Sequence, residues 1–490
     1  MAKRAVLIFS TLLTVALMTV FTSATASSKK QSHPISISVV KQNLKVNGKN
    51  AAVYNIIQAD GSEGFKGVKG EYFDVNLHNK TDIPVSIHWH GLIVPNDQDG
   101  VPYVTQLPIS PGKSKHYRYK LLQAGTYWMH SHYKYYEQLL MTAPLIIADP
   151  DETQKYDQDI TVMYQDFTFT NPEKILKNLK HAAMAKEKSK DNTSLKIDIL
   201  AEKPELNDVK YDALLANRRT LNDPQIFKVK PGERVRLRLI NGSSASNFWV
   251  YTGALPGIAI ALDGADIKPI NNYQFQIAVA QRIDIIVTIP SKGGAFPILA
   301  QSQGTKQQSG VILATEGAAI PKLDPIANKA APALDSTQTI KGRALNPLAK
   351  KPITTTLNFK LTGDMSNYVW KINNQAWPRI KPQKIKKGDR VEMVFTNDTG
   401  MAHPMHLHGH VFQVTDINGN ELHNGPLRDT ILVLPHSTSK VIFDADNPGI
   451  WMTHCHVLYH MMAGMMTTTN YEGYPEPKYY QDLINGKIKE

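Results

Sequence analysis

The chain has 490 residues, 42% hydrophobic and 20% charged, an ordinary globular composition on a chain too long for one hydrophobic core. Two to four domains are therefore expected. The formal net charge of +12 includes no Lys/Arg run interleaved with aromatics, so it fits a lysine-rich solvated surface and speaks against nucleic-acid binding.

Residues 1–26 read as a secretory signal: Lys3 and Arg4, an apolar stretch from Ala5 to Phe21, then the small-residue cleavage site Ala24-Thr25-Ala26. Ser10, Thr11, Thr14 and Thr19 make this stretch a weak membrane anchor. Residues 1–26 hold no Arg-Arg pair, which points away from a twin-arginine route. A Sec-type export to the periplasm, or secretion, is expected, with no membrane span left after signal removal.

The mature chain repeats one pattern. Lys69 to Asn79, Lys230 to Asn241 and Lys387 to Asn397 each hold a Gly turn, an acid, an alternating strand and a closing Asn. Val235, Leu237 and Leu239 share a face, as do Val391, Met393 and Phe395. The surrounding Val, Ile, Thr and Gly/Pro turns predict an all-β protein of β-sandwiches. Three domains are expected: 33–150, 159–318 and 354–490. Within the second, 171–210 is Lys/Glu-rich with Ile175, Leu176, Leu179 and Ala183 at helical spacing, which predicts a short helix and a surface loop. Residues 319–353, rich in Ala, Pro and Lys, predict an extended linker.

Histidines follow the repeats. The first copy leads into His88-Trp-His90 and then His130-Ser-His132. The third leads into His403-Pro-Met-His406-Leu-His408. The second leads to Phe248 and Trp249 with no histidine, and its domain is expected to be a ligand-free spacer. Near the C-terminus comes Trp451 to Met466, with the only cysteine, Cys455, between His454 and His456, followed by His460 and Met465. On a strand, residues two apart share a face. The pairs 88/90, 130/132, 406/408 and 454/456 can therefore converge as eight imidazoles, while Cys455 points the other way.

His403, Cys455, His460 and Met465 remain as one mononuclear set of soft and borderline donors, which suits copper. A single His-x-His pair is weak evidence and is more often a satisfied histidine pair. Ten of the 17 histidines in this arrangement, around a lone cysteine, are not so explained. A lone exported thiol is either inert and buried or occupied by metal, and the flanking histidines favour metal. Zinc is the rival ion, but zinc sites need neither paired strands nor a Cys-His-Met set.

The blocks HWHG, HSH, HPMHLHGH and HCHVLYHMMAGM resemble the four copper motifs of the multicopper oxidases. The segments GLIVPNDQDGVPYVTQLPI, DALLANRRTLNDP and GDMSNYVWKINNQAWP are similar to periplasmic copper-resistance oxidases of the CopA type. The resemblance covers nearly the whole mature chain. It implies three cupredoxin-like domains and four copper ions. His403, Cys455, His460 and axial Met465 resemble a type 1 site; His88 and His406 resemble type 2 ligands. His90, His130, His132, His408, His454 and His456 resemble a type 3 pair.

The implied reaction is oxidation of Cu(I), another metal ion or a small phenol, coupled to reduction of dioxygen to water, by a monomer with a role in copper tolerance. Asp99 matches the family's acid near the cluster and equally fits a turn before Gly100. Asp429 resembles the acid near the type 1 His of cuprous oxidases and equally fits a strand start. Glu137 and Asp429 are candidates to hold ligand imidazoles. Where some relatives have an acid after the last type 1 His, this chain has Met461 and Met462, which either handle Cu(I) or fill space. A copper-storage protein is the alternative from another class, and it needs no Cys bridge. A copper nitrite reductase is disfavoured by three repeats and four His pairs.

Overall fold

The computed structural model describes residues 34–190, 206–364 and 367–488. The expected signal at 1–26 and the second part of the expected insert, 191–205, lie outside the described residues. The elements are overwhelmingly strands, arranged as six sheets.

In the first sandwich, Ile35–Val46, Lys49–Gln58, Tyr72–Asn79 and Ser114–Lys120 form one sheet. Phe65–Val68, Ile87–His90, Gly125–Ser131 and Thr142–Ala148 form the other. The alternation of the first repeat is what joins them. Phe73, Val75 and Leu77 are fully buried, and the Phe73 ring meets Trp89 of the opposite sheet at 4.7 Å. The second sandwich has a six-stranded and a five-stranded sheet around its own apolar core. The third pairs a seven-stranded sheet with a five-stranded one, and its core is continuous with that of the first.

The closing Asn of each repeat does the same job three times. Asn79, Asn241 and Asn397 are buried. Each donates its amide to main-chain carbonyls across the corner: Ile109, Ile277 and Val433 respectively. Each accepts the amide of the residue two further on: Thr81, Ser243 and Thr399. The Asx geometry satisfies a sharp buried turn that backbone alone could not.

The second repeat departs from simple alternation. Its outward residues Arg236 and Arg238 are also buried, in ion pairs with Asp284 and Asp159, and Arg238 donates to Thr126 of the first sandwich at 2.9 Å. Both faces of this strand are covered because the first sandwich lies on one of them.

The insert opens as the helix Pro172–Lys190, capped by Asn171 on the amide of Glu173, with Ile175 and Leu176 buried. The linker runs beside the second sandwich, bridging Gln303 with Ala331 and Gln307 with Ile326, and includes the short helix Thr337–Lys341. No described helix is long and apolar enough to cross a membrane.

Candidate metal centres

Strand register builds both centres. Ile87–His90 pairs antiparallel with Gly125–Ser131, setting His88 opposite His130. His403–Leu407 pairs antiparallel with Ile450–Cys455, setting His406 opposite His454 and Met405 opposite Cys455. Because side chains alternate, the paired histidines share one face and Cys455 is turned to the other.

On that other face, His403 Nδ1 and His460 Nδ1 are 3.1 Å apart, and each is 3.6 Å from Cys455 Sγ. A triangle with those sides has its centre about 2.0 Å from every corner, the length of a metal–nitrogen bond. The outward nitrogens are committed: His403 Nε2 donates to Thr399 Oγ1 at 2.7 Å, and His460 Nε2 donates to Asp208 Oδ2 at 2.8 Å. Thr399 is itself placed by the Asn397 corner. Met465 is buried beside the set, tied by hydrogen bonds from the Cys455 amide to its carbonyl and from its own amide to His460 O. Burial pushes the Cys455 thiol above its usual range, so a thiolate here needs a cation.

The eight paired histidines gather between the first and third sandwiches. Rings stack across the boundary: His88 on His408 and His90 on His406, both at 3.8 Å. His132, His408 and His454 present ligand nitrogens to one another, as do His88, His406 and His408. His90, His130 and His456 form another group, with ring centroids 4.9–5.6 Å apart.

Six of the eight imidazoles, those of His88, His90, His130, His406, His408 and His454, are held from outside. His88 donates through Nδ1 to Asp99 O at 3.0 Å, and His408 through Nδ1 to Asp99 Oδ2 at 2.9 Å. His406 donates to Asp429 O at 2.8 Å, and His454 to Cys455 O at 3.0 Å. Glu137 Oε2 lies 2.7 Å from His130 Nδ1, with its other oxygen 3.9 Å from His456 Nδ1. The inward atoms His88 Nε2, His90 Nδ1, His130 Nε2, His406 Nε2 and His456 Nε2 are buried without partners. An unmet buried acceptor costs about 1–3 kcal/mol. Desolvation, reinforced by neighbouring histidines, holds His90, His130, His132, His406, His408 and His456 far below the usual imidazole range. Neutral rings with convergent lone pairs and no protein donor fit metal ions. The thiolate–imidazole–thioether set fits copper over zinc.

Asp99 occupies the expected turn. Gly100 sits at φ +81°, where a Cβ would collide with Ile87 O, so the turn is real. The same turn delivers the buried carboxylate to His88 and His408. Asp429 stands at a strand start and against a ligand-candidate imidazole, two of its expected readings, and not beside the Cys455 set. The strand His403–Leu407 pairs antiparallel with Thr430–Val433, so Val433 lies opposite His403 and Thr430 opposite His406. Asp429 thus falls at the His406 end, fully buried, with Oδ1 3.1 Å from His90 Nε2. It cannot meet an incoming donor at the Cys455 set.

The acid beside that set is Asp208, from the middle domain, which also accepts a hydrogen bond from Tyr368. Its Oδ1 is buried and unpartnered. Asp208 lines a cavity of about 260 Å³ with Leu206, Ala245, Leu334, Met401 and Val457.

A second unforeseen residue is Arg282, also of the middle domain, which pairs with Asp429 through both terminal nitrogens at 2.6 and 2.8 Å. Burial alone would lower this guanidinium, but Asp429 and Asp263 outweigh it and hold it above its usual range. The one sequence signal for Arg282 is a charge in the apolar strand Arg282–Thr288. Asp208 has none. The middle domain is therefore more than a spacer. Met461 and Met466 pack with Met452, Leu458 and Leu483 in a small apolar cluster, which is space filling.

Residues 58–152, 156–320 and 350–472 match three family models, each described as multicopper oxidase. The chain is 30% identical over 416 residues to the multicopper oxidase MmcO of Mycobacterium tuberculosis, covering 82% of this chain and 80% of that protein. It is 28% identical over 515 residues to a copper resistance protein A homolog of Pseudomonas syringae pv. tomato, covering 82% and 86%. The crystal structure of Fet3p, a multicopper oxidase that functions in iron import, superposes with a TM-score of 0.75 at 19% identity, over 93% of this chain and 95% of that one.

Proposed function

The chain belongs to the multicopper oxidase family, and on that premise we propose that it is an exported oxidase carrying four copper ions, which oxidises small phenols, Cu(I) or both and reduces dioxygen to water. It is an oxidoreductase of the laccase-like or cuprous-oxidase kind. Export to the periplasm rests on the residue pattern of 1–26, and a role in copper tolerance rests on the copper-resistance relatives.

His403, Cys455, His460 and Met465 would hold one copper. His88 and His406 would hold a second. His90, His130 and His456, with His132, His408 and His454, would hold a pair. Copper supplies one-electron redox chemistry at the first set and dioxygen chemistry at the eight histidines. Everything else is this chain's work. Cys455 joins the two sets covalently, since its neighbours His454 and His456 belong to the eight. Asp208 lines an apolar cavity and has one carboxylate oxygen without a protein partner; a phenol entering there would give its O–H to that carboxylate and stand against the His460 edge. Met401 on the cavity wall offers a thioether to Cu(I). Asp99 and Glu137 fix imidazole orientation, and both stand where a proton is needed as oxygen is reduced.

One observation carries the proposal: a thiolate triad and an eight-imidazole pocket lie on opposite faces of the strand that carries His454 and Cys455. Its test is oxygen uptake and initial rates with Cu(I), Fe(II) and 2,6-dimethoxyphenol on copper-loaded protein. Loaded protein that consumes no oxygen with any of the three refutes it.

A further inference from the structure

Among the eight paired imidazoles, His90 is the exception. The others turn Nε2 inward, and His90 turns Nδ1 inward. The cause is Asp429, whose Oδ1 accepts the His90 Nε2 proton at 3.1 Å and the Thr430 hydroxyl at 2.9 Å. A lone carboxylate could rotate between His90, His406 and Thr430. This one cannot, because Arg282 grips both oxygens at 2.8 and 2.6 Å in a fork. The guanidinium is itself locked: Nε donates to Thr126 O at 2.9 Å, on the strand that carries His130, and Nη2 to Asp263 O at 3.0 Å.

The glycine of the HWHG block gives an independent sign that this pair is built against His90. Gly91 has φ +87°, and a Cβ there would lie 2.5 Å from Asp429 Oδ2 and 2.6 Å from Arg282 Nη2. The residue after the ligand is kept bare so that the ion pair can reach the ligand.

We infer that Arg282, from the domain that holds no ligand, is a positioning residue for the eight-histidine centre. Through Asp429 it fixes the tautomer and rotation of His90, and so the metal site that His90 shares with His130 and His456. The inference rests on the reading that the pocket binds copper; wild-type protein that retains copper only at the Cys455 set defeats that reading itself, before Arg282 is tested.

The experiment compares Arg282→Lys, Asp429→Asn and the paired variant R282Q/D429N with wild type, each copper-loaded and dialysed against a mild chelator. Copper per chain, the blue thiolate absorption and the electron paramagnetic resonance spin count are read. Arg282→Lys keeps the blue absorption but holds one pocket copper about 10- to 100-fold more weakly, and the partner copper left behind becomes visible in the spin count. Asp429→Asn shows the same selective loss, and the paired variant loses no more than the worse single, because both act through one contact. If Arg282→Lys does not fold, R282Q/D429N, which removes both facing charges together, carries the test. Wild-type copper and spin counts in the folded variants overturn the inference. So does loss of the blue copper in step with the pocket copper, which is the mark of general disruption.

Discussion

His408 Nε2 and His454 Nε2 face each other at 3.0 Å with no proton between them. Each ring has already placed its hydrogen outward, His408 on Asp99 and His454 on Cys455 O. Two lone pairs at that separation repel unless a cation lies beside both, and five further inward nitrogens nearby have no partner. Metal binding and folding should therefore be linked. Copper removal is expected to lower Tm, and added copper to restore it in a concentration-dependent way. The sign with pH follows. Burial holds His454 at about 4, against the usual 6.5. Its contribution is complete above 6.5 and lost as pH falls through about 4, so the metal-free protein weakens on acidification over that window. Calorimetry of metal-free and loaded protein checks both points, and equal Tm values would falsify the link.

Cys455 serves the two centres in different ways, and substitutions should separate them. Cys455→Ser removes the thiolate from the triad with His403 and His460, so the intense blue absorption and electron entry are both lost. His454→Ala touches only the eight-histidine pocket, so the blue colour survives while oxygen uptake stops. Visible spectra and an oxygen electrode read the pair; a blue, active Cys455→Ser protein contradicts the assignment.

The histidine clusters were legible because strand alternation is a local rule: two residues apart means one face, wherever the strand sits. The repeat was legible for a similar reason, since Asn79, Asn241 and Asn397 solve one corner with one set of bonds. Long-range pairing was not. Asp208 meets His460 across 252 positions of sequence, and no local pattern marks it. Asp429 holds an imidazole as expected, but which set it stands beside depends on strand direction. An antiparallel partner puts it beside His406, whereas a parallel one would have put it nearer His403. The middle domain lacks histidines, which concealed that its Asp208 and Arg282 support both centres.

Asp208 gives the most direct handle on the electron donor. Asp208 lines an apolar cavity, its Oδ1 is buried without a partner, and its Oδ2 already holds His460. Asp208→Asn keeps an oxygen for His460 but loses the charged acceptor for a phenol. A hydrogen bond to a charged group contributes about 1.5–3 kcal/mol, so kcat/KM for 2,6-dimethoxyphenol should fall about ten- to a hundredfold. Blue absorption should be unchanged. Hexacyanoferrate(II), which has no proton to give, should not share the loss. An equal fall for both donors would place Asp208 in support of His460 alone.

Asp99 joins the first histidine block of the third sandwich to the first block of the first. Its carboxylate takes His408 Nδ1, its carbonyl takes His88 Nδ1, and it is buried from solvent. Asp99→Asn preserves the size and the Gly100 turn, and an amide oxygen can still accept from His408. What it removes is the negative charge and the capacity to carry a proton. Copper content and blue absorption should therefore match wild type, while turnover falls about 10²- to 10⁴-fold if the carboxylate acts as the acid for oxygen reduction. Rapid reduction of the blue copper by substrate should be unaffected, so the defect should appear only on reoxidation by dioxygen. Stopped-flow reoxidation of the fully reduced variant is the measurement. Wild-type reoxidation would leave Asp99 as a turn residue that also orients two imidazoles, and would move the search for the proton donor to Glu137.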